Sequence, residues 1–282
     1  MAYKSRKVWL STPYGIWTVL FTVIPLFLIV LYSFSKGDAF GGIVYDFTGE
    51  NYKNFLEPIY LNVFWRSISL AFQSTLICFL IGYPMAYVIS KSNIKRRNLM
   101  VVLFILPLWT NFLLRTYAWM VILREQGILN ELLMSLGLID TPIKFLYTNG
   151  AVLMGMVYNF LPFMVLPIYS VLSKIDNSLI EAAEDLGATT GKVFAKVIFP
   201  LSLPGVVSGV IMVFMPAVST FVISDLLGGG QTILLGNLIQ NQFMMARNWQ
   251  FGSAISMIMM AVIVITMGIL SKHRSKEGGE LW

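Results

Sequence analysis

The sequence predicts an all-α polytopic membrane protein of six transmembrane helices, and three observations predict it. Of its 282 residues, 57% are hydrophobic and only 12% are charged, with a mean hydropathy of +0.74. A soluble domain of this length carries roughly twice that charged fraction. The apolar residues gather into runs of about 20, the length that crosses a bilayer as a helix. Lys and Arg are shared unevenly among the polar segments between those runs, as the positive-inside rule requires.

The first span is expected at 14–34. Lys4, Arg6 and Lys7 precede it, which resembles a signal peptide. The apolar run is too long for a signal h-region and no small-residue cleavage site follows, so it reads as an uncleaved span with Pro25 as a tolerated kink. A polar segment runs from Lys36 through Asp38 and Gly41-Gly42 to Arg66, and residues 37–57 within it form a first outer loop without an assigned role. The second span is expected at 67–90, followed by the basic turn 91–97. The third, at 99–120, passes Pro107, Trp109, Asn111 and Arg115. Residues 128–139 are too short to span, and Ile128, Leu129, Leu132, Leu133, Leu136 and Ile139 fall at the spacing of an amphipathic interfacial helix. The fourth span is expected at 151–172, the fifth at 206–223 before the break Gly228-Gly229-Gly230, and the sixth at 251–270 before a polar tail ending at Trp282. With no internal repeat or linker, one membrane domain is expected over 1–282.

Thirteen of the twenty Lys and Arg fall in the N-terminal tail, the 91–97 turn, the polar stretch 173–205 and the C-terminal tail. That richer side is expected to be cytoplasmic, which places both termini and 173–205 inside. The same bias accounts for the net charge of +6 and the pI of about 9.3. Basic residues in short clusters at span ends, rather than on one compact face, exclude nucleic-acid binding.

Several chemistries are absent from the sequence. The lone Cys78 lies within a span, so no intrachain disulfide and no cysteine metal site is expected. The lone His273 lies in the tail, which leaves no histidine relay, no metal cluster and no Ser/His/Asp constellation. Gly228-Gly229-Gly230 lacks the Lys-Ser/Thr that completes a phosphate loop. No enzyme is expected, and the energy for any transport must come from a partner or an ion gradient.

The stretch 181–205, EAAEDLGATTGKVFAKVIFPLSLPG, is the least apolar interruption after the N-terminus. Glu181-Ala182-Ala183 opens a run of good helix formers, Gly187 breaks it, and Thr189-Thr190-Gly191 predicts a turn. A second short helix is expected through Val193, Phe194, Val197 and Ile198, closed by Pro200 and Pro204. Ala182 and Ala183 permit close helix approach. The plain alternative is an ordinary amphipathic loop between helices.

Glu-Ala-Ala, a Gly four residues on, and the exit Val197-Ile198-Phe199-Pro200-Leu201 together resemble the EAA loop of binding-protein-dependent ABC importer permeases. The resemblance implies the six-helix, MetI-like permease fold of type I ABC importers. It implies that Glu181, Ala182, Ala183, Asp185, Gly187 and Ala188 form a coupling helix docked in a groove of an ATPase subunit. Closure of two ATPase subunits on ATP would then switch the pathway between membrane faces. No cofactor is expected on this chain, since ATP and Mg belong to the ATPase. The implied partners are a second, related permease, two ATPase subunits and an extracytoplasmic binding protein, in a bacterial cytoplasmic (inner) membrane.

Further segments are similar to polyamine permeases of that family. They are 107–117, reading PLWTNFLLRTY, then Gly127-Ile128-Leu129-Asn130-Glu131, 138–143, 161–167 and 224–229. The resemblance implies spermidine or putrescine as cargo. A path for a flexible polycation needs carboxylates and aromatic faces. Asp225 is the acidic residue closest to membrane depth; Trp109, Tyr117, Trp119 and Tyr158 are candidate walls, and Asn111 and Asn159 candidate neutral acceptors. The bland reading of the aromatics is the interfacial belt, and that of Asp225 is a helix cap or an ion pair with Arg115. Arg115 suits a structural or gating ion pair better than a polycation path. The sixteen methionines are expected to pack helices. Ferric iron, sulfate or another anion is the alternative cargo. A stand-alone secondary carrier is the other class, but carriers usually show paired halves and several intramembrane titratable groups.

Overall fold

The structure is a computed structural model that describes residues 12–37 and 43–278. Lys4, Arg6, Lys7, Asp38, Gly41-Gly42 and Trp282 lie outside the described residues, as does the side chain of His273. Helix α1 (Thr12–Ser33) is followed by a two-stranded antiparallel ribbon of β1 (Ser35–Gly37) and β2 (Ile43–Phe47) and by α2 (Glu50–Phe55). Then come α3 (Pro58–Lys91), α4 (Ile94–Trp109), α5 (Phe112–Ile122), α6 (Ile128–Ser135) and α7 (Asn149–Leu172). The chain continues through α8 (Asn177–Asp185), α9 (Thr190–Ser219), α10 (Val222–Gly228), α11 (Leu235–Met244) and α12 (Trp249–Gly278). Among the described residues five helices are long and apolar enough to span, or six when the α4–α5 pair counts as one.

The chain divides into two compact units, Met1–Asn62 with Leu238–Val262, and Val63–Asn237 with Ile263–Trp282. In the first, α1 is apolar all round and its spanning window has no buried residue, the pattern of a helix solvated by lipid. The first loop is built rather than loose. The Asn51 amide donates to the Ser33 and Ser35 carbonyls at 3.1 and 3.0 Å, and Tyr52 donates to the Ser33 hydroxyl at 2.8 Å. Lys36 and Glu50 form the only ion pair among the described residues, at 4.0 Å.

The second unit is organised on α7, the most buried of the spans. Small residues let α9 approach it: a β-carbon at Gly205 would stand 2.9 Å from the Pro167 carbonyl, and one at Gly209 would stand 2.7 Å from Met164 Sδ. Met156 and Met164 are fully buried, as expected of packing methionines. Gly82 of α3 also meets Met164, together with Val165 of the same helix.

Two expectations need correction. The third span is not straight: α4 and α5 meet at 92°. Thr110 and Asn111 take extended backbone (ψ 152° and 126°), and the Asn111 side chain accepts the Leu113 amide at 2.8 Å, which starts a new helix. Pro200 and Pro204 do not close a short helix either, since α9 runs unbroken past both. The turn ahead of Pro200, Phe194–Ile198, is π-helical, and the Phe199 amide reaches back to the Phe194 carbonyl. The widened turn steps the hydrogen-bond ladder past a residue that has no N–H to give. The same device precedes Pro25, where Val19–Val23 is π-helical and Ile24 bonds to Val19. The fifth span therefore begins at Thr190 and ends at Ser219, where Thr220 turns extended.

Candidate functional site

Two places in the second unit, at opposite ends of α9, hold most of the expected site residues. At the N-terminal end stands α8. Asp176 caps it, accepting the Ser178 amide at 3.0 Å, and that bond holds the Asp176 carboxyl below its usual range. The helix starts at Asn177, four residues before Glu181. Its C-terminus is a Schellman turn: Gly187 at φ +77° donates to the Glu184 carbonyl at 2.8 Å, and Ala188 donates to Ala183 at 3.0 Å. Thr189 in extended backbone then opens α9.

No residue of α8 is buried. Leu179, Ala182, Ala183 and Leu186 recur at helical spacing, and Leu186 is 89% exposed. An exposed apolar stripe of this kind marks a candidate interaction surface. Ala183, Leu186, Gly187 and Ala188 line an open hollow of about 420 Å³ together with Lys192 and Lys196 of α9. Of the expected docking residues, Ala183, Gly187 and Ala188 line this hollow, while Glu181, Ala182 and Asp185 stand along α8 outside it. Leu186, Lys192 and Lys196 are additions to the expected set, although Leu186 completes the spacing from Leu179 and Ala183. Behind the hollow the first turns of α9 are fixed to α3. Phe194 packs edge-on against Tyr83 and Tyr87, and the Tyr83 and Ser202 hydroxyls are 2.9 Å apart and buried.

At the other end, α10 carries Asp225 on a short helix beyond the spanning part of α9. Its side chain is exposed, and partial desolvation pushes the carboxyl up against the lowering effect of the Asn237 amide. Asn237 is 4% exposed and donates to Asp225 and to the Phe221 carbonyl (3.0 Å) while accepting from Ser224 (2.6 Å) and the Leu234 amide (2.9 Å). Ser67 of α3 accepts the Leu235 amide at 2.8 Å, and Thr232 donates to Asn149 at 2.7 Å. Asn237, Ser67 and Thr232 are likewise additions; a lone polar residue in the sequence gives no sign of the partners that will bury it.

The remaining expected residues separate. Among the described residues Arg115 forms no ion pair, with Asp225 or otherwise, and its Nε and Nη1 are buried without a hydrogen-bond partner. Trp109 is 84% exposed, and Asn111 is spent as the α5 cap. Tyr117 is exposed; Tyr158, also exposed, stacks edge-on against Trp119 at 5.3 Å. Asn159 is 2% exposed, donates to the Gly155 carbonyl at 2.8 Å and keeps a buried oxygen without a partner.

The architecture is shared with solved importers. The chain superposes on a crystal structure of a bacterial ABC transporter involved in the import of the acidic polysaccharide alginate with a TM-score of 0.80, over 98% of this chain and 99% of that one, at 16% identity. A bacterial alginate ABC transporter in complex with a periplasmic protein bound to an alginate pentasaccharide gives 0.78 over 98% and 96%. Among curated proteins, the spermidine/putrescine transport system permease protein PotB of Haemophilus influenzae is 44% identical over 264 residues, 93% of this chain and 92% of the relative. PotB of Escherichia coli is 42% identical over 254 residues, 90% and 91%. Residues 78–273, from the middle of α3 into α12, match the family model of binding-protein-dependent transport system inner membrane components. With that model covering well over half of its length, the chain belongs to the binding-protein-dependent transport system inner membrane component family.

Proposed function

We propose that this chain is the permease subunit of an ATP-driven importer that carries polyamines, spermidine or putrescine, into the cell. For the machine, the single observation that carries the reading is the uncovered α8. It is a capped amphipathic helix closed by Gly187 at positive φ and followed, after a short turn, by a spanning helix. A load applied to α8 passes into α9 and, through the Gly205 and Gly209 contacts, into α7. Nothing in the sequence hydrolyses ATP, so the chain is a non-catalytic subunit. Glu181, Ala182, Ala183, Asp185, Gly187 and Ala188 dock on a separate ATPase that uses ATP and Mg. The distribution of Lys and Arg supports a cytoplasmic location for this end of α9 and for both termini.

For the cargo, support comes from the 42–44% identity to PotB proteins over nine-tenths of the chain. Asp225, exposed at the far end of α9, supplies the anionic group a polycation needs, with Trp109, Tyr117 and Tyr158 as aromatic surface. Arg115 serves structure or gating rather than contact with a cation. Six spans form half of a pathway, so the assembly contains a second, related permease, two ATPase subunits and an extracytoplasmic binding protein.

Co-purification tests the machine. A tagged copy brings down an ATPase and a second permease, and Gly187→Asp weakens the ATPase band. A tagged copy that purifies alone, yet transports, would make the chain a stand-alone carrier.

A further inference from the structure

We infer that Asn237 is a positioning residue that fixes the Asp225 carboxylate for an ammonium group of the cargo. The inference rests on the polyamine reading above. An asparagine amide offers two donors and two acceptors, and Asn237 faces a partner with each of them inside the protein, the Ser224 hydroxyl dividing its one proton between Asn237 and the Phe221 carbonyl. Its orientation is chemically fixed. The Leu234 amide can only donate, the Phe221 carbonyl can only accept, and the Asp225 carboxylate, when ionised, can only accept.

Those four partners bracket α10. Phe221 precedes its first turn, Ser224 and Asp225 lie within it, and Leu234 immediately precedes α11. The Leu235 amide is held in turn by Ser67 of α3, which itself donates to the Val63 carbonyl at 2.8 Å. A chain of hydrogen bonds therefore runs from a spanning helix through Leu234-Leu235 and Asn237 to one oxygen of Asp225. Asn237 is buried while Asp225 is exposed, so one member of the pair is anchored and the other is presented. A carboxylate on a seven-residue helix would otherwise sample several rotamers, and ordering it in advance removes that cost from cation binding. Asn237 donates to one carboxylate oxygen, which leaves acceptor capacity for a cation.

The test is labelled-polyamine uptake by right-side-out vesicles or proteoliposomes holding the complete importer, with ATP in the lumen on the α8 side and with KM and maximal rate separated. Asn237→Ala is measured in the native background and in Asp225→Asn. In the native background it raises KM on the order of tenfold, the size of one lost hydrogen bond to a charged group. In Asp225→Asn it changes KM less than about twofold, because the carboxylate it served is gone. Equal losses in both backgrounds would overturn the inference, since Asn237 would then be acting through structure alone. If Asn237→Ala does not assemble, the exchanged pair Asp225→Asn with Asn237→Asp restores one donor and one acceptor with the charge moved to the buried position. That pair assembles and retains a high KM; a native KM would overturn the inference. Absence of polyamine uptake by the native importer would overturn the cargo reading and this inference together, whereas native uptake with multiplicative losses overturns this inference alone.

Discussion

The ring of Tyr147 lies directly over the backbone of Gly229, where a β-carbon would collide with it, and both residues hold positive φ, +65° and +54°. The Tyr147 amide also donates to the Leu227 carbonyl at 2.9 Å, so the segment before α7 clamps the end of α10. Gly229→Ala is expected to lose about 1–2 kcal/mol from conformation alone, with the ring collision added. The purified protein should melt several degrees lower. Tyr147→Ala in the same chain relieves the collision and leaves the conformational cost, so the double variant should recover only part of the melting temperature.

At the other end of α9, Gly187 is open: no atom lies within 4 Å of a β-carbon built there, and only its φ of +77° disfavours a side chain. Substitutions should therefore rank by tolerance of the left-handed region rather than by size. Gly187→Asn should retain most uptake and Gly187→Val little, while Gly187→Asp adds charge at the docking surface and abolishes coupling. ATP-dependent uptake and ATPase stimulation by the binding protein are the readouts. Native transport in Gly187→Asp would remove α8 from the coupling path.

Gly205 faces backbone rather than a flexible side chain: a β-carbon there would stand 2.9 Å from the Pro167 carbonyl and 3.0 Å from Ile168 Cα. Neither can rotate away. Gly205→Val should force α7 and α9 apart and cost about 1–3 kcal/mol or more, lowering both yield in the membrane and melting temperature. At Gly268 a β-carbon meets nothing within 4 Å, so Gly268→Ala is the matched control and should be tolerated.

Asp176 gives a pH dependence with a definite sign. Its carboxyl is held below its ordinary value by the Ser178 amide and hydroxyl. Its capping contribution is therefore complete above the ordinary carboxylate range and is lost as pH falls through the depressed value. Hydrogen exchange of peptide 177–186, corrected for intrinsic rates, should show constant protection near neutrality and a loss under acid. Asp176→Ala should start less protected and lose that acid step.

The spans are legible in the sequence because transfer from water to lipid is a sum over composition, which hydropathy reads directly. The direction of the chain inside a span is set by single hydrogen bonds, which composition does not carry. The 92° turn between α4 and α5 hangs on Asn111, whose side chain serves as a cap rather than as a free pathway amide. The local pattern Pro107-Leu108-Trp109-Thr110-Asn111 holds the signal of that break. Proline usually ends a helix, yet at Pro200 the π-turn at Phe194–Ile198 absorbs the missing donor. Gly187 is readable because a helix end followed by glycine has one dominant geometry. Asn237 and Ser67 are not, since the partners that decide their roles, Asp225 and Leu235, lie in other segments, 12 and 168 residues away.

Uptake of labelled spermidine and putrescine decides whether this chain drives polyamine import. It is measured in vesicles containing the assembled importer, with ATP on the α8 side and unlabelled cargoes as competitors. ATP-dependent uptake is expected that polyamines compete away and sulfate, ferric iron and alginate do not, with Asp225→Asn lowering it while ATPase-subunit association persists. ATP-dependent uptake of an anion, or polyamine uptake that needs no ATP, would contradict the proposed function.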